Sequence, residues 1–282
     1  MNKIFIKILE IIFPNRCLAC HKMIGAEGLF CYDDWKKLQF ITAPKCEICS
    51  QPFMLEIDGP QCAKCLAAKP SYDASIVIFR YNDSLKKIIG DMKYRDATNL
   101  SKKFGKMLWQ KIAPKIENYN LIIAVPLHKQ RLRERKFNQS ILLAKAILQN
   151  FNEGKNYSKF LSIIKNIFAE KNIFRSPFKK NISEFHAIKN TPKFYPNILL
   201  RTKYTTAQVK LNRKMREENL RGAFKINEKY RDKIKGSSVL LVDDVVTTGA
   251  TLENCALALK EAGATKITIA TIARTTLDKA AF

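Results

Sequence analysis

The chain has 282 residues, 46% of them hydrophobic, enough for one large domain or two smaller ones and too apolar for a globally disordered polymer. Its formal net charge is +25, from 50 Lys and Arg against 25 Asp and Glu. That excess either attracts polyanions through phosphate contacts and counterion release, or reflects a chain-wide bias toward Lys, Ile and Asn.

The first predicted element is a short amphipathic helix over 1–16. In "MNKIFIKILEIIFP" the apolar Ile4, Ile8, Ile11 and Ile12 keep a helical period, broken by Lys7 and Glu10. The run falls short of the ~20 residues that span a bilayer, so stable membrane insertion is not expected. No small-residue cleavage site follows, and a signal peptide is not expected either. The helix packs on the body of the protein or lies at a membrane surface.

Residues 17–70 hold seven of the eight cysteines. Cys46, Cys49, Cys62 and Cys65 form two C-x-x-C pairs separated by residues 50–61, a zinc-ribbon arrangement whose four thiolates leave no open position for catalysis. Such usage points to a reducing, cytoplasmic compartment. Cys17, Cys20 and Cys31 supply three ligands of a first site. Its fourth is Asp34, three residues after Cys31, or His21. Spacing favours Asp34, because adjacent residues such as Cys20 and His21 rarely both reach one ion; a weakened or empty site is the third reading. Zinc here is structural, and losing the ribbon should spare the domain after it.

Residues 71–282 read as an α/β domain. The strand "NLIIAVP" delivers the chain to a basic loop with His128, Arg131, Arg133, Arg135 and Lys136, before a helix from near Asn138. Residues 151–197, rich in Lys, Asn, Phe and Ile, read as a surface insertion. The 205–221 segment carries Gln208, Arg213, Arg216, Asn219 and Arg221 and has the character of an amphipathic surface helix. In "VLLVDDVVTTGAT" the run Val239–Val242 predicts a strand buried on both faces. Leu252, Cys255, Ala256 and Leu259 share one face of a helix over 251–262, and "KITIATIA" is the next strand, so the unit favours a parallel sheet. Between strand and helix, Thr247, Thr248, Gly249, Ala250 and Thr251 suit a monophosphate at a helix N-terminus. Asp243 and Asp244 would repel a bare phosphate. They make sense if the ligand is a sugar phosphate whose hydroxyls donate to them and whose Mg²⁺ they help hold.

Several segments together resemble one family. "VLLVDDVVTTGAT" resembles the phosphoribosyl-pyrophosphate (PRPP) motif of type I phosphoribosyltransferases, and a double zinc ribbon before it resembles the ComF/GntX family of competence-associated proteins. "FPNRCLAC", "VPLHKQRLRERKFNQS" and "TTAQVKLNRKMREENLRGAF" resemble, in the same order, that family's start, its pyrophosphate-side loop and its flap segment. Asp34 departs from the family, which has a fourth Cys there, and 151–197 exceeds the family's length. The resemblance implies a type I phosphoribosyltransferase-like parallel sheet flanked by helices. It implies PRPP with Mg²⁺ on Asp243, Asp244 and the 247–251 loop, diphosphate on Arg131, Arg135 and Lys136, and a flap bearing Gln208, Arg213, Arg216 and Asn219. It also implies a link to uptake of external DNA through single-stranded DNA, with the competence DNA-uptake machinery as partner at the inner side of the membrane. No nucleophile or general base stands out, and no segment has a readable preference for an acceptor. The chain is then a PRPP-binding, DNA-linked protein or a phosphoribosyltransferase of nucleotide metabolism.

Overall fold

The computed structural model describes residues 14–25, 28–53, 59–94, 98–169, 191–204 and 222–276. The helix expected over 1–16 lies outside them, apart from residues 14–16. The cysteine region contributes two short helices, α1 (Tyr32–Lys37) and α2 (Ala63–Ala67). Then come β1 (Ala74–Arg80), α3 (Asp83–Tyr94), α4 (Thr98–Ile112), β2 (Leu121–Ala124), α5 (Lys129–Arg135) and α6 (Gln139–Ala169). β3 (Lys193–Phe194) and the antiparallel pair β4 (Leu199–Arg201) and β5 (Phe224–Ile226) lead into α7 (Arg231–Ile234). β6 (Ser238–Val246), α8 (Ala250–Glu261) and β7 (Lys266–Arg274) complete the order.

One five-stranded sheet runs β1-β7-β6-β2-β3, and every pairing in it is parallel. Its central strands alternate between two cores. Ile122, Leu240 and Val242 pack with Leu85, Ile88, Phe104, Leu108, Leu143 and Ile147 from α3, α4 and α6. Leu121, Ile123, Val239 and Leu241 pack with Leu252, Cys255, Ala256 and Leu259 of α8. Strands covered on both sides need unbroken apolar runs, which is why β2 and β6 read as they do. α4 approaches α6 closely: a Cβ at Gly105 would collide with the Ala146 methyl.

The ribbons are not a separable unit. Cys17, Leu18, Phe30 and Leu38 of the first belong to the core under α3, α4 and α6. Cys46, Ile48, Cys49 and Cys65 of the second belong to the core under α8. A zinc knuckle buries too little by itself to fold without such a neighbour or its metal. The linker between them also covers the sheet's edge, since Phe40 bridges Phe79 of β1.

Three stretches differ from expectation. β6 runs on past Val242 through both acids to Val246, because Asp243, Val245 and Val246 stay in register with Thr271, Ala273 and Arg274 of β7. The basic loop is mostly the helix α5, whose first turn His128 caps by accepting from the Gln130 N–H. The 151–197 stretch begins inside α6, where Phe151 is fully buried against Trp109, and near its end contributes β3 to the sheet. Its residues 170–190 lie outside the described ones.

Candidate functional site

The two cysteine clusters repeat one geometry. Cys17 and Cys46 each open a turn whose carbonyl accepts the N–H of the residue four on, His21 and Ser50. Both of those residues take a left-handed conformation, at φ 61° and 58°. The helices α1 and α2 then present Cys31 with Asp34, and Cys62 with Cys65. Ligand atoms of Cys17, Cys20, Cys31 and Asp34 lie within 4.8 Å of one another, as do those of Cys46, Cys49, Cys62 and Cys65. The Cys20–Cys31 and Cys49–Cys62 sulfurs are 3.6 Å apart, close to the ~3.8 Å edge of a tetrahedron with zinc–sulfur bonds of about 2.3 Å. One oxygen of Asp34 meets Cys17 and Cys31 at 3.2 and 3.3 Å, while Lys37 holds the other at 3.0 Å. The donor sets fit tetrahedral zinc. His21 stands outside its cluster because it closes the knuckle, as Ser50 does in the second.

A cavity of about 360 Å³ opens beyond the ends of β2, β4 and β6, where open α/β sheets hold their ligands. Asp243 and Asp244 line it side by side. Asp243 accepts from the Ser140 hydroxyl at 2.9 Å and from the Asp244 N–H at 2.9 Å. Burial and the neighbouring Asp244 charge push its pKa up to about 7, against those hydrogen bonds. Asp244, 8% exposed, pairs with Lys93 at 3.0 Å. Burial works against the Lys93 ammonium, but the Asp244 charge outweighs it and the lysine stays raised.

Ser140 reaches Asp243 because Asn138 ties the start of α6 to the end of β2. Its amide donates to the Val125 carbonyl at 3.0 Å, and its oxygen accepts the Ser140 N–H at 2.9 Å. Arg131 and Arg135 of α5 and Arg201 at the end of β4 add cations to the lining. Arg135 donates to the Tyr94 hydroxyl at 3.2 Å and lies over that ring. Tyr204 also lines the cavity and meets the His128 ring edge-on at 5.1 Å. On the far side, Gly249 takes φ 87° and starts α8. The Thr248 hydroxyl accepts the Ala250 N–H at 3.4 Å. Thr247 and Thr251 face the cavity at the head of α8, the end of a helix that favours an anion. The carboxylates and the Ser140, Thr247 and Thr251 hydroxyls line the cavity with oxygen atoms, the ligand type that a hydrated Mg²⁺ prefers.

The predicted Asp243, Asp244, Thr247, Thr251, Arg131 and Arg135 therefore share one cavity. Thr248 lies on the opposite side of the loop, and Lys136 ends α5 outside the lining in a left-handed conformation. Gln208, Arg213, Arg216 and Asn219 lie outside the described residues. Lys93, Ser140, Arg201, Tyr94 and Tyr204 were not foreseen. Only Ser140 carried a signal, as the residue two after a capping Asn.

A double zinc ribbon at the edge of a parallel sheet, with two acids and a Thr-Gly loop at the strand ends, defines a two-part protein: a ribbon joined to a phosphoribosyltransferase fold. Family models agree, with the double zinc ribbon domain matching residues 8–66 and the phosphoribosyl transferase domain residues 201–281. The chain is 26% identical to competence protein F of Haemophilus influenzae, over 93% of its own length and 98% of that protein's. It is 24% identical to competence protein ComFC of Bacillus subtilis, with 83% and 78% covered, and 23% identical to DNA utilization protein YhgH of Escherichia coli K12, with 76% and 78% covered. Both domains stand in the order that the motifs require, and these similarities support the resemblance to the ComF family.

Proposed function

We propose that this chain binds PRPP with Mg²⁺ in the Asp243–Thr251 cavity and serves the uptake or use of external DNA, with single-stranded DNA as a second ligand. The observation that carries the reading is the pairing of two acids with the cations Lys93, Arg131, Arg135 and Arg201 in one cavity beside a phosphate loop. A simple phosphate gains nothing from the acids; a ligand with both anionic groups and hydroxyls uses everything present. The 247–251 loop takes the 5-phosphate, Asp243 and Asp244 accept from the ribose hydroxyls, and Arg131, Arg135 and Lys136 meet the diphosphate. The resemblance assigns Gln208, Arg213, Arg216 and Asn219, outside the described residues, to the same ligand. Mg²⁺ supplies charge neutralisation at the diphosphate, held in part by Asp243 and Asp244. Zinc in the two clusters is structural, with Asp34 as the fourth ligand of the first.

The relatives named for competence and DNA utilization support the link to DNA. The partner is then the DNA-uptake machinery, met in the cytoplasm or at the inner membrane face. No described helix is long and apolar enough to cross a membrane. Calorimetric titration with Mg-PRPP tests the reading. Asp243→Ala with Asp244→Ala should weaken binding by at least tenfold, since charge-assisted bonds contribute ~1.5–3 kcal/mol each; an unchanged Kd in the folded variant would sink it. A second reading, phosphoribosyl transfer to an acceptor, is favoured by the cations placed to stabilise a departing diphosphate. Diphosphate release on adding candidate nucleobases tests it.

A further inference from the structure

The phosphate loop has a second neighbour besides the ligand cavity. A separate cavity of about 510 Å³ lies behind it, walled by Cys49, Gln51, Cys62 and Lys64 of the second ribbon on one side and by Thr247, Thr248 and Arg274–Thr276 on the other. One connection runs within the loop's wall, and two link that wall and α8 to the ribbon side. The Thr275 N–H donates to the Val246 carbonyl at 2.8 Å, and its hydroxyl to the Thr247 carbonyl at 2.9 Å. Lys64, between the ligands Cys62 and Cys65, reaches the Thr248 carbonyl at 3.5 Å. Ser71, just past the ribbon, donates its N–H and hydroxyl to the Glu253 carboxylate in the first turn of α8, at 2.9 and 2.6 Å.

Arg274 joins these to the metal cluster. It ends β7, is 7% exposed, and its Nη1 has no hydrogen-bond acceptor among the described residues. Arg274 lines the same cavity as the ligands Cys49 and Cys62. Four thiolates around Zn²⁺ carry a net charge of about −2. A loaded cluster therefore places a negative charge beside a buried guanidinium whose Nη1 has no other partner among the described residues.

We propose that Arg274 and Thr275 are positioning residues that transmit the state of the Cys46/Cys49/Cys62/Cys65 cluster to the phosphate loop. A loaded cluster holds Arg274, which fixes the end of β7, and the next residue, Thr275, pins Val246 and Thr247 at the entry to the loop. The affinity part of this rests on the proposed PRPP site; the ordering of the loop does not.

The test uses the full chain as wild type, Arg274→Gln, Arg274→Lys and Thr275→Val. Zinc content, hydrogen–deuterium exchange across 246–256 and the Kd for Mg-PRPP are measured together. Thr275→Val, which keeps the shape and removes the hydroxyl, should keep its zinc, exchange faster over 246–251 and bind Mg-PRPP about three- to tenfold more weakly, the loss expected of one hydrogen bond. Arg274→Gln should do the same, with partial rescue in Arg274→Lys. Unchanged loop exchange in both Thr275→Val and Arg274→Gln would overturn the proposal. If wild type binds no Mg-PRPP, the site assignment fails instead, and the exchange measurement alone still decides whether the ribbon orders the loop.

Discussion

Lys93, one residue before the end of α3, closes on Asp244 of β6 at 3.0 Å, and both side chains are largely withdrawn from water. Removing one partner strands a charge. Lys93→Met should destabilise the fold by about 2–4 kcal/mol in chemical denaturation, whereas Lys93→Met with Asp244→Leu should recover most of that loss. A double variant as unstable as the single one would show that the pair is held for a reason other than charge compensation.

The first metal site makes a stoichiometric prediction. Protein purified without chelator should carry two zinc ions per chain, Asp34→Ala about one, and Asp34→Cys two again. Two ions in Asp34→Ala would remove Asp34 from the ligand set, and His21→Ala then becomes the variant to assay.

Asp243, held at about 7, gives a pH dependence with a definite sign. A raised carboxyl is neutral below its folded pKa and costs stability once ionised above it. Stability from this group is therefore fully present below about pH 4, and is lost as pH rises through 7. Ligand affinity runs the other way, because only the carboxylate accepts two donors or holds a cation. Mg-PRPP binding should strengthen between pH 6 and 8, with that step flattened in Asp243→Asn after the ligand's own ionisation is subtracted.

If the net charge has a dedicated use, single-stranded DNA should bind with a log–log salt slope near −0.7 per phosphate contacted, and resist competition from heparin and duplex DNA. Equal displacement by all three would assign the charge to composition. Unaltered DNA binding in Asp243→Ala with Asp244→Ala would place the two ligands at different sites.

The β6–α8 unit was legible because its information is local. A continuous apolar run, two acids, a glycine and a 3–4 spacing of apolar residues occupy one short segment. The length of β6 was not, since its extension past Val242 is written in backbone pairing with β7 rather than in its own side chains. α5 was mistaken for a loop although Lys, Gln, Arg and Glu all favour helix; charge density hid the propensity. Lys93 and Arg201 could not be singled out among 50 basic residues, because what distinguishes them is arrival at the ends of α3 and β4, which only the assembled sheet determines. Asp34 was readable from its spacing after Cys31. The position of His21 outside that cluster acquires its physical reason only from the left-handed turn it shares with Ser50.

The distribution of the two ribbons over opposite faces of the sheet bears on how this protein can be cut. A fragment beginning near residue 71 would strip cover from both faces at once. On one side it would bare apolar surface that Leu18, Phe30 and Leu38 now shield; on the other, surface beneath Ile48 and Cys65. It would also expose β1 as an unpaired edge, inviting self-association. The N-terminal quarter is thus no detachable cassette, and insoluble expression of such fragments would follow from geometry alone.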